Sequence, residues 1–271
     1  MGASPPSPRA RLRTLGVRPK KRLSQAFLED PRVAAAIVRA ARLEASSEVL
    51  EVGPGLGVLT RLLVRRARRV VAVELDTALA DALRQAEPDV EVINLDILQF
   101  QPDEHFQGPY TVVANLPYHI TSPALRHLLG SGPPFALRLV VMVQAEVADR
   151  IAAQPGDMSA LAVAIQAQAG VRVLRRVGKE AFYPQPRVDS AVLVLEPRHE
   201  PAVRREELEP FVRLVQAGFK QPRKTLANSF ADGLGLPKLE AVERLAMAQI
   251  DPSLRPQALS VDDWVRLFRG A

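Results

Sequence analysis

Short apolar runs punctuate the chain up to about residue 196, whereas the remainder carries only helical spacing. Val33, Ile37, Ala40 and Ala41 share one face of a helix predicted over residues 32–43, with Asp30 as its N-cap and Pro31 at its first position. Apolar runs at 49–52, 70–73, 90–94 and 110–114 predict buried strands. The first runs into Gly53-Pro54-Gly55-Leu56-Gly57 and a helix over about 58–66. A further strand is predicted over 137–144 and helices over 145–154 and 159–168, then two late strands over 171–177 and 191–196, expected as an antiparallel pair. After His199 the spacing predicts helices over 204–218, 222–232, 237–247 and 261–269, the last with an apolar face of Trp264, Val265, Leu267 and Phe268. The fold class expected is therefore α/β: a Rossmann-like, mostly parallel sheet followed by a small all-helical domain. Residues 1–20, rich in Pro, Ser and Arg without apolar periodicity, are expected to be a mobile basic arm. The domain boundaries expected are 21–198 for the sheet domain and 199–271 for the helical one.

The ends of the predicted strands carry the candidate chemistry. A strand, a glycine turn and a helix form the nucleotide-binding half of a doubly wound sheet, where glycines allow a tight turn and close approach of backbone to ligand. Position 58 is Val, so the dinucleotide spacing is not met; Gly53, Gly55 and Gly57 with Glu51 two residues ahead favour a non-phosphorylated ligand. Glu74 ends the second strand, 21 residues after Gly53, where a carboxylate accepts from both ribose hydroxyls. Asp96 ends the third strand. Open α/β sheets bind ligands at this edge.

The fourth strand ends in Asn115-Leu116-Pro117-Tyr118. Pro117 cannot donate to a sheet ladder, so the strand stops there, and it biases Leu116 toward an extended conformation that leaves carbonyls pointing away from the sheet. Asn115 offers an acceptor oxygen and Tyr118 a flat face for stacking. Together these groups suit a flipped-out nucleobase with an exocyclic amine.

Composition narrows the classes. A hydrophobic fraction of 47% and a charged fraction of 24% are those of an ordinary globule, with no apolar run near the ~20 residues that span a bilayer. The first eight residues have no apolar core, so no secretory signal is predicted. The absence of cysteine removes disulfides, thiolate nucleophiles and cysteine-bound metals, and a cytoplasmic address is expected. Net charge is +6 and the pI is near 10.0. Only six of the 36 basic residues are lysine; guanidinium, which binds phosphate bidentately and stacks on bases, makes up the rest. That balance fits a nucleic-acid partner, as does Arg223-Lys224 at a predicted helix start. The four histidines are scattered, so neither a metal cluster nor a strong general base is expected. No heptad repeat stands out, and a monomer is expected.

The glycine loop with Glu74 and Asp96 resembles class I S-adenosylmethionine-dependent methyltransferases, and residues 115–118 match the fourth motif of those acting on exocyclic amines. Phe182-Tyr183-Pro184-Gln185-Pro186-Arg187-Val188-Asp189-Ser190 is similar to a signature of the ribosomal RNA adenine dimethyltransferases, placed there close to the target base. Lys21 to Leu28 and Phe219 to Asn228 match further stretches, so the resemblance runs from about residue 20 to the end. It implies dimethylation of adenine N6, with the bacterial small-subunit enzymes most alike. Their substrate is a pair of adjacent adenines in the hairpin loop near the 3′ end of that subunit's RNA, within an assembling subunit. By the same resemblance, Gln25, Leu28, Glu51, Gly53, Gly55, Glu74, Asp96 and Asn115 would hold S-adenosylmethionine. Asn115, Leu116, Pro117 and Tyr118 would be catalytic, and Lys21, Arg22, Phe182, Pro184, Arg187, Arg223 and Lys224 would meet RNA. The chain departs from the family at Ala26, where Asn is usual, so no side-chain role is expected there, while a main-chain contact from Ala26 or Leu28 stays open. Alternatives stay open here: a large-subunit adenine methyltransferase, a non-catalytic assembly or transcription factor on the same fold, or, with a poorer fit, a small-molecule methyltransferase.

Overall fold

The computed structural model describes residues 7–20, 23, 25–117 and 120–270. Nine strands and eleven α-helices follow one another among these residues. They are α1 (Pro8–Thr14), β1 (Phe27–Leu28), α2 (Pro31–Ala40), β2 (Glu48–Val52), α3 (Thr60–Leu63), β3 (Arg69–Val73), α4 (Thr77–Ala86), β4 (Glu91–Ile93), β5 (Tyr110–Asn115) and α5 (Thr121–Gly130). There follow β6 (Ala136–Gln144), α6 (Ala145–Ile151), α7 (Ala160–Gln166), β7 (Ala169–Val177), β8 (Phe182–Tyr183), β9 (Ser190–Pro197), α8 (Arg205–Gly218), α9 (Leu226–Leu234), α10 (Lys238–Met247) and α11 (Val261–Arg269).

Seven strands form one sheet in the order β4-β3-β2-β5-β6-β9-β7. The first five are parallel, and β9 enters antiparallel to β6, so the antiparallel contribution comes late, as the apolar runs predict. Strands β3 and β5 read as near-continuous apolar runs, and β2 as one interrupted by Glu51, because parallel strands are covered on both faces. The register aligns the strand ends: Val52 lies opposite both Val73 and Ala114, Val73 opposite Ile93, and Asn115 opposite Met142. The residues that leave these strands, Gly53, Glu74, Asn94 to Asp96 and Asn115 to Pro117, therefore share one edge. The core beneath them includes Ile37, Val49, Leu63, Val113, Val140 and Val192, all buried.

Helices α4 and α5 are not among the elements read from the sequence. Their alanines, and the turn around Pro117 before α5, blur the apolar stripe that packs Leu79, Ala80 and Leu83, or Ala124, Leu125 and Leu128, inside. Helix α2 starts as expected: the Asp30 carboxylate accepts from Arg32 N at 2.7 Å.

The N-terminal arm departs from expectation. Residues 7–20 carry α1, with Ser7 Oγ accepting from Ala10 N and Pro8 at the first position. Leu12 is buried with Phe27, Leu56 and Leu79, and Val17 packs on the same cluster. Arg11 donates to Leu56 O at 2.5 Å. Two apolar residues five apart suffice to dock so short a segment, although they make no periodic pattern. Ser-Pro at a helix start was the available signal.

The chain divides into two compact units, residues 1–148 with 172–196 and residues 149–171 with 197–271. The second unit thus takes in the stretch around α7, which the expected boundary counted with the sheet. The reason is packing: Met158, Ala162, Val163 and Ala167 are buried with Phe211, Val215, Phe230, Leu245 and Trp264. Within this unit Ser260 and Asp263 cap α11 reciprocally, and the indole of Trp264 stacks on Phe219. Among the described residues no helix is long and apolar enough to cross a membrane.

Candidate active site

A cavity opens at the shared strand edge of the first unit, lined by the glycine loop, Glu74 and Leu75, Asp96 and Ile97, Asn115 to Pro117, residues 25–28 and Phe182. The loop after β2 turns at once because Gly53 has φ +66° and Gly55 φ +54°, a region that favours glycine. At Gly55 a Cβ would also stand 3.2 Å from the Phe27 ring, a tight contact to which the ring would have to give way.

Glu74 is the best-organised group in the cavity. Gly55 N donates to its Oε2 at 3.0 Å and Asp76 N to its Oε1 at 2.9 Å, so both oxygens are fixed with lone pairs left over. Burial pushes its carboxyl above the usual glutamate value, and the two backbone N–H groups partly offset this. Asp76 lies buried beside Glu74 and ties in Lys20 and Gln25. Lys20 Nζ reaches its Oδ1 at 2.8 Å, Gln25 Nε2 its Oδ2 at 3.0 Å, and Lys20 N donates to Gln25 Oε1 at 2.8 Å. Burial would raise the Asp76 carboxyl, but these donors outweigh it and hold it below the usual range. Asp96, just beyond β4, accepts from Leu98 N at 3.0 Å, which orients its carboxylate. Leu75, half exposed, and Ile97 supply apolar walls between the two acids.

At the end of β5, Asn115 Nδ2 donates to Ala26 O at 3.2 Å. Leu116 is buried, and its N–H is spent on Met142 O at 3.0 Å. Pro117 O accepts from Ile120 N and Thr121 Oγ1, whereas no donor among the described residues reaches Leu116 O. Carbonyl and carboxamide are thus left at the cavity.

Of the expected cofactor residues, Gln25, Leu28, Gly53, Gly55, Glu74, Asp96 and Asn115 line this cavity, together with Phe182. Glu51 does not, which corrects its expected cofactor contact. Strand alternation turns it to the opposite face from Val52, a lining residue, and leaves it buried beside Thr60. Thr60 approaches the Glu51 carboxyl closely enough to favour its charge, but neither Glu51 oxygen nor Thr60 Oγ1 meets full hydrogen-bond geometry among the described residues. Burial pushes the Glu51 carboxyl up to about 8, with Thr60 opposing and Glu74 adding to the rise. The folded state therefore binds a proton that the unfolded chain has released from about pH 4.3 upward. Its stabilising effect is complete below that pH and is lost as pH rises through about 8. Glu51→Gln is expected to match the wild type near pH 4.5 and to exceed it at pH 8 by on the order of 3 kcal/mol, read from denaturant unfolding at both pH values. A difference independent of pH would contradict this.

Pro184 and Arg187 lie on an exposed loop outside the cavity, anchored where Lys179 N donates to Asp189 Oδ1 at 3.0 Å. Arg223 and Lys224 are exposed at the turn before α9, in the second unit. Lys21, Arg22 and Tyr118 lie outside the described residues. Leu75, Ile97 and Asp76 are not read from the sequence, nor is Asn115 as the partner of the Ala26 carbonyl, although a main-chain contact at position 26 is open there; a leucine directly after the strand-end glutamate is the one visible sign. Among the described residues no group of three or more His, Asp or Glu could hold a metal ion.

A parallel sheet with one antiparallel late strand, a glycine loop and acids at successive strand ends defines a class I methyltransferase. Residues 16–270 match the family model described as ribosomal RNA adenine dimethylase, and the chain belongs to that family. It is 45% identical over 255 residues to ribosomal RNA small subunit methyltransferase A of Desulfitobacterium hafniense, covering 92% of this chain and 91% of that protein. The protein of the same name from Moorella thermoacetica is 40% identical over 282 residues, with 98% and 97% covered. The solved structure of the 23S rRNA methyltransferase ErmE is similar with a TM-score of 0.68 at 30% identity, covering 90% of this chain and 98% of that one. A dimethyladenosine transferase from Plasmodium falciparum shares the fold with a TM-score of 0.72 at 24% identity, covering 89% and 95%.

Proposed function

We propose that this enzyme transfers methyl groups from S-adenosylmethionine to N6 of two adjacent adenines in the 3′-terminal hairpin loop of small-subunit ribosomal RNA. It acts in the cytoplasm, as a monomer, on an assembling small subunit. The observation that carries the reading is the convergence on one cavity of a pre-oriented carboxylate, Glu74, and an amine-accepting pair, Asn115 Oδ1 with Leu116 O.

The lining fits S-adenosylmethionine. Glu74, its oxygens already aligned, accepts from the ribose hydroxyls. Asp96 would take the adenine amine, Leu75 and Ile97 would flank the ring, and the glycine loop would receive the methionine end, all of them lining the same cavity. When bound, the cofactor supplies an electrophilic methyl group on a sulfonium centre.

The protein's own part is to hold the acceptor. The lone pair of adenine N6 is delocalised into the ring, which makes it a poor nucleophile. Hydrogen bonds from N6–H to Asn115 Oδ1 and Leu116 O favour a tetrahedral nitrogen, aim its lone pair and stabilise the positive charge that develops. Tyr118 stacks on the flipped base, a contact worth ~1–3 kcal/mol. No strong base is required, because the methylated nitrogen is acidic enough to lose its proton to solvent. The monomethyl product has a single N–H and must rotate or rebind before the second transfer. Phe182 and the exposed Pro184 and Arg187 contact RNA beside the target, and Lys21, Arg22, Arg223 and Lys224 bind phosphates.

Similarity to ErmE favours a second reading, a large-subunit substrate. The higher identity to relatives named for the small subunit weighs against it. A time course of nucleosides from modified small-subunit RNA tests the dimethyl product: N6-methyladenosine should rise first and give way to N6,N6-dimethyladenosine. Arrest at the monomethyl stage would count against the proposal.

A further inference from the structure

Asn115 is held from an unexpected side. Its partner, Ala26 O, is a peptide carbonyl with lone pairs only, so the atom 3.2 Å away is necessarily the amide nitrogen. The carboxamide oxygen is then on the other branch, as the atom the residue presents to a ligand in the cavity that both residues line.

The carbonyl itself has little freedom. The two residues after it form β1, where Phe27 pairs with Tyr183 and Leu28 with Phe182 of β8, and Glu29 N donates to Ala181 O at 2.7 Å. Phe27, Leu28 and Phe182 are all buried. On the other side, Asn115 sits in register with Met142 at the end of β5.

We infer that the Ala26 carbonyl, clamped by the β1–β8 pair, is a positioning group that selects a carboxamide over a carboxylate at position 115 and sets which way it faces. This rests on the reading of Asn115 as the residue that grips the target amine. An aspartate would fill the same space, and its charge would favour a nitrogen becoming positive. Ionised, however, it has no proton for Ala26 O, and two oxygens would meet. Protonated, it offers one donor and one acceptor, the pattern of the amide. Loss of the side chain at position 26 is harmless on this account, because the contact is made by main chain.

The test is single-turnover methyl transfer to unmethylated small ribosomal subunits by wild type, Asn115→Ala and Asn115→Asp between about pH 5.5 and 8.5. S-adenosylhomocysteine binding is measured in parallel as a check on the fold. At pH 8 the aspartate variant should be as slow as the alanine variant. Relative to wild type it should recover at least about tenfold toward pH 5.5, while the alanine ratio stays flat. An aspartate variant within about tenfold of wild type at pH 8, or with a flat ratio, overturns the inference and leaves Asn115 as the grip. Wild-type rates in the alanine variant overturn the grip itself, and the inference with it. Should the aspartate variant fail to fold, hydrogen exchange of the Asn115 side-chain amide in the wild type decides. Slowed exchange supports the bond to Ala26, and exchange at the rate of a free amide overturns it.

Discussion

Asn115→Ala is expected to slow methyl transfer by about 10²- to 10³-fold while S-adenosylhomocysteine affinity changes by less than about threefold. The size follows from what the residue does. Its acceptor oxygen interacts more strongly as the amine becomes positive than in the ground state, so its removal costs transition-state stabilisation and little ground-state binding. The cofactor pocket keeps its floor, because Glu74, Gly55 and Asp76 bond to one another without Asn115. Single-turnover rates at saturating RNA and calorimetric titration of the product cofactor separate the two quantities. Parallel loss of rate and affinity would place Asn115 in cofactor binding instead.

Glu74→Ala should do the reverse, weakening cofactor binding by about 10²- to 10⁴-fold. Two hydrogen bonds to an ionised carboxylate contribute about 1.5–3 kcal/mol each, and both are lost. The same substitution strips Gly55 N and Asp76 N of their acceptor, so the glycine loop loses its brace as well. A pH signature accompanies the effect. Burial holds the Glu74 carboxyl above the ordinary glutamate value, so wild-type affinity should fall on acidification sooner than an exposed glutamate would allow. Titration of S-adenosylhomocysteine across pH with wild type and variant checks both points; a variant binding within tenfold of wild type would remove Glu74 from the site.

Much of this was legible in the residues because strand ends are punctuated. Gly53-Pro54-Gly55, Glu74, Asp96 and Asn115-Leu116-Pro117 each end an apolar run with a glycine, a proline or a polar side chain. A parallel sheet then places such stops along one edge, as the aligned register does here. Glu51 was misplaced because period-two alternation decides its face, and a strand buried on both sides hides that alternation in the sequence. The docked arm escaped because Leu12 and Val17 bury surface contributed by residues far along the chain, Phe27, Leu56 and Leu79. The Ala26 contact was legible only in part: a main-chain contact at position 26 was open, but a carbonyl leaves no mark on residue identity that would name Asn115 as its partner. The grouping of 149–171 with the C-terminal helices likewise depends on partners more than 40 residues away, such as Phe211 and Trp264.

The most direct test of the whole account is transfer of labelled methyl from S-adenosylmethionine to unmethylated small and large ribosomal subunits, followed by digestion of the RNA and identification of the labelled nucleosides. N6,N6-dimethyladenosine confined to the small subunit, mapping to two adjacent adenines near the 3′ end of its RNA, is the predicted result. Label on the large subunit, or none on either while S-adenosylhomocysteine still binds, would contradict it.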